Sequence, residues 1–515
     1  MIQRVKWFLF SALLFLVITG TVASGDMISP RMRELMGEKM FRYAQWGLLA
    51  VDIQSGETIY ALNADKMFKP GSTTKVFTVS AALNVFGADH RFETPVYGRG
   101  KILASGELTG DLILKAVGDI TLGGRATPEG HIAFTDFDHD HANAFGVAIL
   151  TAPGPTAGID RLAKQVLGSG INRVSGEVIV DDRIFDADAT QQGLTPVMVN
   201  DNLIDLVITP GKPGSYAQVE WRPRCSFYRI DAQIRTVDKG RPESIDIRSV
   251  GPGKIILRGE IPAGSSPLVR VAKVEDPASF LRALFIEALQ RAGVQLDASP
   301  LDLNPAGRLP VKHHYHNLPK VAGLISLPFS EYARLILKVS HNRGANTLLP
   351  LMSLQAGDGT YKDGFRIEKE FLQKAGIDLS SVALADGAGG DPYTNFTPAA
   401  VVGLLRHMAS TPYYGVLRNA MPSLGEDGTL AGAVSPDSPA RGRVHAKTGT
   451  IISFNPLAKK PMLNAKALAG YMTTSRGRNL AFAIFVNKVP VDTVQEALDV
   501  GHTLGKICEM MYAAQ

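Results

Sequence analysis

Phe68-Lys69-Pro70-Gly71-Ser72-Thr73-Thr74-Lys75 is the stretch that decides how this chain reads. Proline and glycine end the extended run before it. Val76, Val79, Leu83 and Phe86 then recur at helical spacing, and Gly87 closes the helix. Ser72 is therefore expected at a helix N-terminus, with Lys75 on the same face one turn later. No other serine in the chain has a lysine three residues on. Two more short motifs follow in order, Ser340-His341-Asn342 and Lys447-Thr448-Gly449. Ser453-Phe454-Asn455 repeats the S-x-N pattern but lies after the K-T-G and falls out of order.

The chemistry explains why these residue types belong together. A serine hydroxyl attacks only when a base removes its proton. A lysine serves as that base only if burial or a neighbouring cation lowers its pKa, and Lys447 is the candidate cation. Ser340 and Asn342, two apart at a helix end, point into one cleft. Ser340 would pass a proton to the leaving group, and Asn342 would hold the substrate amide and Lys75. Lys447 and Gly449 share one face of a strand, whereas Thr448 needs a twist or bulge to reach the cleft. Gly449 would let the substrate backbone lie close. The backbone N–H groups of Ser72 and Thr450 are the natural oxyanion donors. Lys447 and Thr448 would then grip a terminal carboxylate. Each motif alone also fits a plainer role: an N-cap serine with a solvated lysine, capping residues at a helix end, an exposed strand lysine beside a turn glycine. The ordered set of three is what argues against those roles.

The 515 residues are too many for one core, so several domains are expected. A charged fraction of 20% against 45% hydrophobic residues excludes extended disorder. The net charge of +5 suits a polyanionic setting without requiring one, and no basic stripe interleaved with aromatics points to nucleic acid. Residues 1–24 read as a signal peptide: Arg4 and Lys6, an apolar run from Trp7 to Ile18, then Thr21-Val22-Ala23-Ser24. An uncleaved anchor is the alternative, but the run is short for a span of about 20 residues. The mature chain is expected to be soluble or loosely membrane-associated outside the cytoplasm, that is, periplasmic. Cys225 and Cys508 either pair or remain buried thiols; their spacing does not choose.

Gly47 to Asp52 and the run ending at Tyr60 read as a hairpin before the serine motif. Short β-like runs separated by glycine and proline fill residues 96–320, with one helix at Pro277 to Ala292. Helices return at Glu331 to Val339, Tyr361 to Ala375 and Pro398 to Ser410. Strands follow at Lys447, Ala467 to Met472 and Leu480 to Val486, and Val494 to Tyr512 is a closing helix. The expectation is an α/β (α+β) catalytic domain, residues 25–95 and 321–515, split by a mainly-β insertion, residues 96–320, of two small domains.

The motifs resemble those of penicillin-binding proteins and their β-lactamase relatives. More narrowly, the chain resembles the D-alanyl-D-alanine carboxypeptidase/endopeptidases of the penicillin-binding protein 4 type. The likeness rests on Phe68 to Lys75 against that family's F-x-P-A-S-T-x-K, and on Phe92-Glu93-Thr94, Gly118 to Leu122, Val180 to Phe185 and Thr209-Pro210-Gly211. Asp386-Gly387-Ala388-Gly389 against D-G-S-G, Gly428-Thr429-Leu430 and Leu468 to Tyr471 complete it. The resemblance implies a β-lactamase-like transpeptidase domain with helices around an antiparallel sheet, and an insertion between the first and second motifs. It implies an acyl-enzyme on Ser72, cleavage of the D-Ala-D-Ala bond of peptidoglycan stem peptides, acylation by β-lactams, and no cofactor or metal. Several features depart from it: His341 where the family usually has aspartate, Arg343-Gly344-Ala345-Asn346 without its acidic residue, Ala388 for serine with Gly390 and Asp391 after it, and a longer stretch 451–466 carrying Lys459 and Lys460. They leave two alternatives, a catalytically weak peptidoglycan-binding homologue and a β-lactamase or esterase on the same fold.

Two clusters stand outside the motifs: Asp136, Asp138, His139, Asp140 and His141, and His313, His314 and His316. Both contain metal-ligand types. A loop and a solvated connector are the readings set beside metal binding.

Overall fold

The structure, a computed structural model, describes residues 27–312 and 314–514. The signal-peptide reading of residues 1–24, and His313, lie outside them. A five-stranded antiparallel sheet organises the site. Its order is Val444–Asn455, Lys460–Thr473, Asn479–Pro490, Gln45–Asp52, Thr58–Leu62. Strands from the two ends of the chain are thus neighbours, with Gln45 opposite Asn487 and Asp52 opposite Leu480. The insertion separates them in sequence only.

Asn479–Pro490 is buried from Leu480 to Asn487 because both faces of the sheet are covered. Side chains alternate between the faces. Leu480, Phe482, Ile484 and Val486 pack with Ala497, Val500, Leu504 and Ile507 of the closing helix Val494–Ala514. Ala481, Ala483 and Phe485 face the helices that carry the motifs. Among these, Lys75–Phe86 is buried along residues 75–83, so it is apolar all round and not amphipathic. Phe329–Lys338, Asn342–Ala356, Tyr361–Lys374 and Pro398–Ala409 surround it.

The helix Asn342–Ala356 was not expected from the sequence. Pro350 sits inside it, where a proline removes a backbone donor and normally stops a helix. Asn342 therefore opens a helix instead of closing the preceding one.

The segment between the first two motifs contains a six-stranded sheet and two three-stranded sheets. Its first and last strands, Glu93–Ile102 and Lys320–Ile325, pair antiparallel, so the chain leaves and returns at one place. It is less purely β than the sequence suggests. Beside Pro277–Ala292 there is a second long helix, Ala157–Gly168, burying Ile159, Leu162, Ala163 and Val166 at helical spacing. Cys225 and Cys508 are both free thiols, each buried in a different apolar cluster. No helix among the described residues is long and apolar enough to cross a membrane.

Candidate active site

Ser72 lies in the 3-10 turn Gly71–Thr74 that leads directly into the helix Lys75–Phe86. The turn ties itself down: Thr73 Oγ1 donates to Pro70 O and Thr74 Oγ1 to Gly71 O, both at 2.9 Å. Two glycines let it press against the third-motif strand. A Cβ on Gly449 would meet Pro70 O at 2.1 Å, and one on Gly71 (φ 53°) would stand 3.0 Å from Thr450 N. The sequence gives Gly449 to the substrate backbone as an expectation; in the structure its bare face meets the turn that carries Ser72. The same contact brings the Thr450 N–H beside the start of the serine motif.

Lys75 is fully buried. Its Nζ lies 2.8 Å from Ser72 Oγ, 2.7 Å from Asn342 Oδ1 and 3.0 Å from Ala388 O. Burial pushes its pKa down to about 7, against the opposing pull of the Asp386 and Asp140 carboxylates. Burial is thus the cause, and the second ammonium is not needed to explain it. A neutral amine has two N–H donors and one lone pair. The amide oxygen of Asn342 and the carbonyl of Ala388 take the donors, which leaves the lone pair for the Ser72 hydroxyl proton.

The carbonyl of Ala388, not its side chain, touches Lys75, which explains how serine can be absent from the D-G-A-G turn. Asp386 fixes that turn by accepting from the N–H groups of Gly389 and Gly390 at 2.8 and 2.9 Å. Gly387 O accepts from Thr78 Oγ1, one helical turn beyond Lys75. Behind it Glu368 is buried, and burial lifts its carboxyl to about 8.

Ser340 is buried with φ 64°, a left-handed conformation that is strained for serine, between the helices Phe329–Lys338 and Asn342–Ala356. Lys447 is also fully buried. Its Nζ donates to Thr448 O at 2.8 Å, and burial and then the Lys75 charge hold its pKa well below the ordinary lysine value. The register irregularity in its strand falls between Ile451 and Ile452, not at Thr448. Thr448 Oγ1 instead meets Thr429 Oγ1 at 2.7 Å. Thr429 was legible only through the Gly428-Thr429-Leu430 resemblance.

The structure thus joins Ser72, Lys75 and Asn342 by direct contact, and Gly449 and Thr450 to the turn that carries Ser72. Lys447 lies close enough to Lys75 to feel its charge. The extended residues 451–466 form a hairpin, and Lys460, opposite Asn455 beside its turn, pairs with Asp492 at 2.5 Å.

The acidic and histidine cluster runs through a bend into the 3-10 turn His139–His141, and part of it is packed inward. Asp138 and His139 are buried beneath the second motif. Arg125 Nη1 and Nη2 contact Asp138 at 2.7 and 2.8 Å, and Nη2 also reaches Asp201 at 2.8 Å. His139 lies between Asp201 (2.7 Å) and Asp205 (2.6 Å), and Arg222 closes on Asp205 at 2.9 Å. Burial disfavours the His139 cation, yet the two carboxylates outweigh it and raise the pKa to about 10. Asp138, His139 and Asp201 have the spacing of a metal site. The guanidinium already occupies their centre, and a divalent cation there would be repelled by it. Asp136 instead accepts from the Gly428 N–H at 2.7 Å. His314 and His316 face each other edge to face at 6.0 Å.

Comparison with known proteins places the chain in a family. Residues 32–502 match the model of the D-Ala-D-Ala carboxypeptidase 3 (S13) family. A D-alanyl-D-alanine carboxypeptidase from an Actinomadura species is 28% identical over 467 residues, covering 86% of this chain and 77% of that protein. The D-alanyl-D-alanine carboxypeptidase DacB of Haemophilus influenzae is 23% identical over 463 residues, 86% of this chain and 85% of the relative. The crystal structure of penicillin binding protein 4 (dacB) from Haemophilus influenzae superposes with a TM-score of 0.69 at 20% identity, covering 94% of this chain and 100% of that one.

Proposed function

The chain belongs to the D-Ala-D-Ala carboxypeptidase 3 (S13) family of serine peptidases and is a DD-peptidase of peptidoglycan; from that premise we propose that Ser72 is its nucleophile and Lys75 its base. The observation that carries the assignment is the fully buried Lys75 amine, 2.8 Å from Ser72 Oγ with a pKa near 7. Neutral Lys75 takes the Ser72 proton as Oγ attacks the carbonyl of the D-Ala-D-Ala bond. The N–H groups of Ser72 and Thr450 hold the developing oxyanion. The proton passes from Lys75, with Ser340 as shuttle, to the nitrogen of the departing D-alanine as the C–N bond breaks. Water then attacks the ester, with Lys75 again the base, and frees Ser72.

Asn342 has its oxygen engaged by Lys75, which leaves its amide donors for the substrate. Lys447 and Thr448, with Gly449 and Thr450 beside them, form the carboxylate grip. Burial and the Lys75 charge disfavour the Lys447 ammonium, and a substrate carboxylate beside it would favour that charged form. β-Lactams present the same acyl carbon and carboxylate, so they acylate Ser72. The enzyme works outside the cytoplasm, where its substrate is; residues 1–24 supply the export signal. The intact contacts among Ser72, Lys75 and Asn342 count against a binding protein that has lost its chemistry.

The test is covalent labelling. A fluorescent penicillin is expected to label the wild-type protein and not Ser72→Ala, and D-alanine is expected to be released from a stem pentapeptide. Equal labelling of both proteins would refute the assignment.

A further inference from the structure

The middle residue of the second motif, His341, is buried and joins that motif to the inserted region. Its Nδ1 accepts from the Gly344 N–H at 3.0 Å and so caps the helix Asn342–Ala356. A Cβ on Gly344 would stand 2.5 Å from that nitrogen, so the ring sits directly on the helix start. An Nδ1 that accepts carries no proton, which places the ring proton on Nε2. Nε2 lies 2.9 Å from Asp201 Oδ1, an approach off the best hydrogen-bond line but one that sets the N–H beside the carboxylate.

Asp201 is held from its other oxygen, Oδ2, by Arg125 and His139. It sits in the middle of three consecutive left-handed residues, Asn200, Asp201 and Asn202, with φ of 51°, 58° and 54°. Asn202 keeps that strained segment in place by donating to Val197 O at 2.8 Å and accepting from Val199 N at 3.1 Å. Such backbone persists only where its surroundings over-determine it. Ser340, next to His341 on the other side of the contact, is left-handed as well.

We propose that His341 and Asp201 form a positioning clamp, through which the inserted region sets Ser340 and Asn342 for reaction. The histidine is the partner that Asp201 requires. An aspartate at position 341 would still cap the helix but would face a second buried carboxylate, which a histidine N–H does not. The other charged groups around the ring are Asp140, whose carboxyl feels His341, Arg125 and His139 behind Asp201, and Lys75 beyond Asn342. This inference rests on the reading of Ser72 as the acylated residue, and the experiment separates the two.

The rate of Ser72 labelling by a fluorescent penicillin and the thermal midpoint are measured for wild type, His341→Asp, Asp201→Asn and the double variant, from pH 6 to 8.5. His341→Asp is expected to slow labelling on the order of a hundredfold at pH 8, the scale of a small misplacement of reacting groups. Its rate relative to wild type is expected to recover as pH falls, because two facing carboxylates that share one proton no longer repel. Adding Asp201→Asn leaves one carboxylate and is expected to restore labelling to within about threefold of wild type, a coupling that independent sites do not show. An unslowed His341→Asp, a double variant no faster than the single, or a pH-independent rate ratio would overturn the clamp. Failure of the wild type to label would refute the Ser72 reading instead. The thermal midpoints then still judge the pair: strictly additive shifts from the two substitutions would rule it out.

Discussion

This chain buries charge in two adjoining regions and treats it in opposite ways. In the cleft, Lys75 touches a hydroxyl, an amide oxygen and a carbonyl, and Lys447 touches a carbonyl. Beneath the second motif, Arg125, Asp138, Asp201, His139 and Asp205 each contact an opposite charge. Burial without a carboxylate in contact brings Lys75 down to about 7, whereas His139, equally out of water, is raised to about 10 by Asp201 and Asp205. Depth alone does not decide reactivity; depth without pairing does. The unpaired region can exchange a proton near neutrality, and the paired one serves to hold the other in shape.

The contrast can be broken most directly at its centre. Ser72→Ala is expected to lose covalent penicillin labelling entirely, and Lys75→Met to slow it by about 10² to 10⁴, the range of a missing general base. In the wild type the labelling rate should rise with pH up to about 7 and then level off, because the reactive form is the neutral amine. A rate that is flat between pH 5.5 and 8 would remove Lys75 from that role.

Stability should sort the regions differently. Arg125→Met leaves Asp138 and Asp201 buried with one fewer cation and is expected to cost about 3–5 kcal/mol in urea unfolding. Lys75→Met removes an unpaired buried charge and is expected to hold or raise the midpoint. Similar losses from both substitutions would erase the distinction.

The pH dependence of stability sharpens it further. The folded pKa of His139 is raised from 6.5 to about 10, so its contribution is full below 6.5 and drains away as pH rises toward 10. The folded pKa of Lys75 is lowered from 10.5 to about 7, so its penalty is full below 7 and is relieved as pH rises toward 10.5. His139→Gln should therefore flatten the decline of the thermal midpoint above pH 7, and Lys75→Met should steepen it. The smallest effect is expected from Ala388→Ser. It keeps the backbone carbonyl in place and should leave the labelling rate nearly unchanged, since the carbonyl makes the contact.

Much of the cleft was legible because its chemistry is local or ordered along the chain. Ser72 and Lys75 are one helical turn apart, and each motif carries its own turn or strand signal. The hidden parts depend on distant partners. Pro350 masked the helix that Asn342 begins. Asp136 to His141 looked like a plain loop because nothing in that stretch announces Arg125, Asp201 or Asp205. His341 looked like a bare departure from a family pattern until its neighbour 140 positions away came into view.

From its residues alone the chain placed a serine and a lysine one helical turn apart and named the strand that faces them, since each follows from side-chain chemistry at short spacing. Tertiary structure alone decided which lysine loses its proton and which histidine keeps one. Ionisation depends on the water excluded and the charges met at that point in space, and those are supplied by segments that the linear order keeps far apart.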